Sequence, residues 1–164
     1  MIRKYIDIIV INTVSLLLGL GLYYFTGERI EILGAIIATG ISLSLGIRHY
    51  KTENDRLFKE LFQEFNKKYD ERFNDELEAI VANGKSLTKE QRYLIIDYLN
   101  LCAEEYLWKT RDRIPNKVWD SWENGMVYYL NNPHINKVIV EERMQSDSYY
   151  GLFEKIKKRV NNLG

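Results

Sequence analysis

Two histidines, His49 and His134, one cysteine, Cys102, and the adjacent carboxylates Glu104 and Glu105 are the side chains best suited to chemistry. A histidine beside other His, Cys or carboxylate residues would hold a metal ion, but neither histidine has such a neighbour at ligand spacing. His49 ends an apolar run and is expected among lipid headgroups. His134 follows a helix-initiating proline and is expected at the surface. A thiolate activated by an imidazole would be a nucleophile, yet Cys102 falls within an apolar helix face, which favours a buried structural thiol. Glu104 and Glu105 would suit acid–base work if they converged. Neighbours on a helix point about 100° apart, and Glu105 stands four before Lys109, the spacing of a helix-surface ion pair. There is no glycine-rich phosphate loop and no nucleophile elbow. The expectation is a protein that is not an enzyme, with no metal and no cofactor. Trp119 and Trp122 share one helix face and form a candidate partner surface, although core packing is the commoner use of such a pair.

These residues sit in a chain of 164 residues with 23 basic and 23 acidic side chains, a formal net charge of zero. The balance argues against direct nucleic-acid binding, which normally needs a basic excess. One cysteine excludes an internal disulfide framework, and two prolines exclude a proline-rich linker. The mean hydropathy, -0.32, averages over a sharp division. Residues before about position 50 are strongly apolar, and nearly all the charge follows them.

Two apolar runs open the chain, Ile8 to Phe25 and Ile30 to Ile47. Each is about 18 residues, roughly 27 Å as helix, close to the hydrocarbon thickness of a bilayer. Only Thr26, Gly27, Glu28 and Arg29 separate them, so an antiparallel transmembrane hairpin is expected. The first run starts basic, as a signal peptide would, but Tyr23, Tyr24 and Phe25 offer no cleavage site and a second run follows at once. Arg3 and Lys4 precede the hairpin, and Arg48, Lys51, Arg56 and Lys59 follow it. That bias puts both termini in the cytoplasm, in a bacterial inner membrane, with Tyr5 and Tyr50 at the inner interface and Tyr23, Tyr24 and Phe25 at the outer.

On the second run Gly34, Ala38, Ser42 and Gly46 recur every four residues, a spacing that lets helix backbones approach closely in lipid. Their partner is either Ser15 and Gly19 on the first run or the same face of another copy of the chain. Asp7, near the inner interface, can reach water. Asn12, a turn deeper, suits an interhelical hydrogen bond better than an ion pathway.

Residues 51–164 read as a separate, cytoplasmic helical domain; residues 1–50 are the hairpin. From Arg48 to Asn83 there is no Gly or Pro, and Phe58, Phe62, Phe65, Tyr69, Phe73, Leu77 and Ile80 recur about every 3.67 residues, a helix that continues the second span. Gly84 supplies its left-handed stop. Thr88 and Gln91 form a capping box for a helix ending near Asp112. Pro115 opens a third helix and Asn132-Pro133 a fourth. Asp147 or Ser148 caps a last one with Tyr150, Phe153, Ile156 and Val160. Its basic end, Lys155, Lys157, Lys158 and Arg159, reads as a solvated helix terminus. The fold class expected is all-α: a two-helix transmembrane hairpin, a long helix and a cytoplasmic helical bundle.

Asn100-Leu101-Cys102-Ala103-Glu104-Glu105-Tyr106, Ile114-Pro115 with Val118, Trp119 and Trp122, and Tyr149-Tyr150-Gly151 together resemble a pattern in small bacterial proteins of unknown function. Those have one or two membrane helices and a helical cytoplasmic domain. The resemblance covers about residues 50 to 155 and implies no catalytic residue. In layout, though not in motif, the chain is similar to membrane effectors of antiphage systems, including the two-helix membrane protein found with some retrons. That similarity implies a membrane component of an antiviral defence system. Its partners would be lipid, a protein such as a reverse transcriptase or another defence component, and further copies of itself. The alternative expectation is a membrane-anchored interaction module without toxic activity.

Overall fold

The computed structural model describes residues 6–27, 29–84, 86–142, 148–157 and 159–160. Arg3, Lys4, Tyr5, Glu28, Asp147 and Lys158 lie outside the described residues. The regular structure is helical, with no strand among the described residues: α1 (Ile6–Phe25), α2 (Ile30–Lys68), a π turn (Tyr69–Phe73), α3 (Asn74–Asn83), α4 (Lys89–Thr110), α5 (Asn116–Leu130), α6 (Pro133–Glu142), a 3-10 turn (Ser148–Gly151) and α7 (Leu152–Ile156). The chain divides into two compact units, Met1–Arg56 and Leu57–Gly164, so the division falls within α2.

In the first unit α1 and α2 are both long and apolar enough to cross a membrane. Leu17, Leu18, Ile41, Leu43 and Leu45 are each half or more exposed. Leucines this bare, side by side, are what a helix facing hydrocarbon presents and what a water-facing helix avoids. Gly27, at φ 76°, takes the left-handed conformation in the connection between the two helices. α2 is continuous through Tyr50.

In the second unit local chemistry sets the helix ends. The Thr88 hydroxyl accepts from the Gln91 amide (3.2 Å) while the Gln91 side chain accepts from the Thr88 amide (3.0 Å), the reciprocal box expected at the start of α4. Gly84, at φ 56°, ends α3 in the left-handed conformation. The Asn132 side chain accepts from the amides of His134 and Ile135 at the head of α6.

Two departures from expectation have physical causes. Phe65, Tyr69, Phe73 and Leu77 are spaced by four, and an α-helix drifts off a four-residue repeat by about 40° per step. The π turn at Tyr69–Phe73 absorbs the drift by adding a residue to one turn, which leaves Phe65, Phe73 and Leu77 all in the core. The long helix expected after the second apolar run is therefore interrupted. The last helix is also shorter than expected. Tyr149, Tyr150 and Gly151 all have positive φ, and Gly151 rather than Asp147 or Ser148 precedes a helix that ends at Ile156. The core of this unit runs from Leu61 and Phe65 through Leu77, Ile95, Leu99, Trp119 and Leu130 to Ile139, Leu152 and Ile156.

Candidate functional site

The first unit has two faces of different kinds. α1 meets α2 along a polar-bottomed seam. The Asn12 amide donates to the Ser44 hydroxyl (2.9 Å) and to its own helix at Ile8 O (2.9 Å). Such a bond between helices in lipid contributes about 1 kcal/mol. A Lys51–Asp7 ion pair at 2.5 Å closes one end, so Asp7 has a protein partner as well as access to water. Close approach is set by Gly19 and Gly40. A methyl group added at Gly40 would lie 2.4 Å from Ser15 Oγ, and one at Gly19 would lie 2.9 Å from Leu33 Cδ1. Ser15 and Gly19 thus sit in the seam, but what they meet is Gly40, Leu33 and Ile36 rather than the repeated small residues.

Gly34, Ala38, Ser42 and Gly46 lie on a different, exposed face of α2. A methyl added at Gly34 or Gly46 would meet nothing within 4 Å. Ala38, Ser42 and Gly46 line a shallow groove with Thr39, Leu43 and Ile47. The Thr39 and Ser42 hydroxyls donate back to Ala35 O and Ala38 O, so these two side chains leave no unsatisfied donor in the groove. Gly40 and Ser44 are the seam residues that the repeat obscured. The signal available was Asn12, which needs a polar partner at the same depth.

In the helical unit the two candidate tryptophans separate. Trp119 is 2% exposed and belongs to the core. Its indole N–H donates to Glu123 Oε2 (2.6 Å), and Glu123 Oε1 pairs with Arg159 at 3.0 Å. Arg159 is therefore the counter-ion of a buried carboxylate rather than part of a solvated basic end. Trp122 is half-buried, stacked on Phe62 at 5.8 Å and edge-on to Phe65 at 5.9 Å.

Trp122 also lines a cavity of about 170 Å³ with Phe65, Tyr69, Tyr98, Met126 and Tyr129. Glu105 lines it too, and this overturns the expected surface pair with Lys109. Glu105 is 7% exposed, whereas Lys109 donates to Asn116 Oδ1 (2.6 Å). Ile95, Tyr98, Cys102 and Glu105 share the buried stripe of α4, so the register of the apolar residues outweighs the i,i+4 charge pattern. Burial, with a contribution from Glu104, pushes the Glu105 carboxyl up to about 8.

Cys102 is buried, and burial holds its thiol well above the usual range, as does the nearby Glu105. His49 is exposed and His134 half-buried. Among the described residues no three of His, Cys, Asp and Glu converge as a metal site requires. No family model matches this chain, and neither curated proteins nor solved structures supply a match.

Proposed function

We propose that this chain is a two-span protein of a bacterial inner membrane whose hairpins associate with one another through the outward face of α2 and so perturb the bilayer when triggered. The setting proposed is an antiviral defence system, in which a partner bound to the cytoplasmic domain would hold or release the hairpins. One observation carries the association: the small-residue face of Gly34, Ala38, Ser42 and Gly46 is exposed while α1 occupies a different face. Two helices can then pack intramolecularly and still offer a close-approach surface to another copy. The basic residues after the second span, Arg48, Lys51, Arg56 and Lys59, support cytoplasmic termini. The test is membrane potential in bacteria expressing the chain with its genomic neighbours during phage infection. Wild type should depolarise the cells, and Gly34→Leu/Gly46→Leu, inserted to the same level, should not. Equal depolarisation by both would remove the proposed role of this face.

A second reading, a membrane-anchored interaction module, is favoured by the cavity beside Glu105 in the helical unit. Exchanging the hairpin for an unrelated two-span anchor separates the readings: a module keeps its function, and an effector loses it.

A further inference from the structure

A carboxyl group taken out of water needs a partner, because unpaired burial costs several kcal/mol. The helical unit holds two buried glutamates and treats them differently. Glu123 has both oxygens engaged, by Trp119 and by Arg159. Glu105 makes no hydrogen bond or ion pair with the described residues, and its carboxyl oxygens keep access to the cavity it lines. Donors are close at hand and committed elsewhere. Tyr129 donates to Glu78 (2.8 Å), and the Tyr69 hydroxyl lies 2.9 Å from that of Tyr129 and 3.0 Å from Asn74 Oδ1. Asn66, also on the wall, turns its amide back to Phe62 O (2.7 Å).

The rest of the wall is aromatic and held in place by its own packing. Trp122 meets Phe65 edge-on, and Tyr98 meets Tyr129 edge-on at 6.0 Å. Aromatic faces attract cations, and more strongly where water is excluded. The chemistry of the wall therefore selects the guest. An anion would meet Glu105. A neutral apolar guest would leave the carboxyl unpaired. A hard metal ion needs six or more oxygen ligands, and this wall offers one carboxylate. Size selects further: a cavity of about 150 Å³ takes a benzene-sized guest, whereas drug-sized ligands need roughly 300 Å³ or more.

We propose that this cavity binds a small alkylammonium ion, its charge held between the Glu105 carboxylate and the rings of Trp122, Phe65, Tyr98 and Tyr129. The site stands whether the hairpin is an effector or an anchor. A free amine and the tip of a lysine side chain share this chemistry. Among the described residues the titratable groups around Glu105 are Glu104, Cys102 and Tyr98 on α4, Tyr69 on the π turn and Tyr129 on α5, and no basic side chain among them lines the cavity. The cation must displace the proton that burial retains on Glu105, so binding tightens as pH rises toward 8 and releases a proton.

The test uses the full chain in maltoside micelles, with tryptophan fluorescence titrated by n-butylammonium, tetramethylammonium and their neutral counterparts n-butanol and tert-butanol. The expected result is saturable binding of at least one ammonium, with its alcohol roughly ten-fold weaker or worse. Glu105→Gln should weaken the ammonium by a similar factor and leave the alcohol unchanged. Calorimetry of wild type at pH 7 in buffers of different ionisation heat supplies a readout that needs no variant, since binding should release a proton. Alcohols binding as tightly as ammoniums, no saturable ammonium binding, or ammonium binding without proton release would each overturn the proposal. A lysine peptide that competes with n-butylammonium assigns the site to a protein partner, and one that does not assigns it to a free amine.

Discussion

Glu105 makes the stability of the helical unit depend on pH in a direction opposite to that of a salt-bridged carboxylate. Its folded pKa, about 8, lies above the 4.5 of an unperturbed glutamate. Between those values the folded chain holds a proton that the unfolded chain has lost, so stability falls as pH rises. The contribution is fully present below about pH 4.5 and is lost progressively up to pH 8. One pKa unit corresponds to 1.36 kcal/mol, so the loss from pH 5 to pH 7 is about 2–3 kcal/mol, and the whole effect about 4–5 kcal/mol. All three tryptophans of the chain, Trp108, Trp119 and Trp122, lie in this unit, so urea unfolding followed by tryptophan fluorescence reports on it without interference from the hairpin. Glu105→Gln keeps the shape and removes the titration. The difference in unfolding free energy, variant minus wild type, should grow by about 2–3 kcal/mol from pH 5 to pH 7, and taking this difference cancels the two histidines. A difference that stays constant between pH 5 and pH 8 would show that Glu105 is ionised in the fold, and the reasoning about its unpaired burial would fail.

Two further outcomes follow from the geometry. Gly40→Ala should weaken the α1–α2 seam by about 1–3 kcal/mol, because Ser15 has to move, whereas Gly34→Ala should leave it intact; distances between spin labels on α1 and α2 in lipid would report the difference, and equal effects would refute the assignment of the seam. Cys102 should resist a soluble maleimide in the native chain and react once urea exposes it, since it is buried with a raised pKa; prompt native labelling would contradict its place in the core.

The helical class, the paired apolar helices and most helix ends were legible because each rests on local chemistry: Thr88 with Gln91, Gly84, Asn132 before Pro133. The interhelical bond of Asn12 was legible from its depth, but its partner was not, since Ser44 and Gly40 lie between the members of the more regular Gly34, Ala38, Ser42, Gly46 repeat. Glu105 was misplaced because its spacing from Lys109 suits an exposed pair, and only the register of Tyr98 and Cys102 on the same stripe reveals the burial. The π turn was encoded in three successive spacings of four, Phe65 to Leu77, which averaging into one mean period concealed. The Trp119–Glu123–Arg159 network joins α5 to a turn beyond α7, and a contact between residues 36 apart along the chain leaves no periodic trace.

The central claim, that the outward face of α2 brings hairpins together, is tested most directly by counting copies of the fluorescently labelled full chain in single bilayer discs at low protein-to-lipid ratio. Wild type should populate discs with two or more copies beyond the random expectation, and Gly34→Leu/Gly46→Leu should return the distribution to random. Random occupancy by wild type, or clustering unchanged in the double variant, would contradict the account.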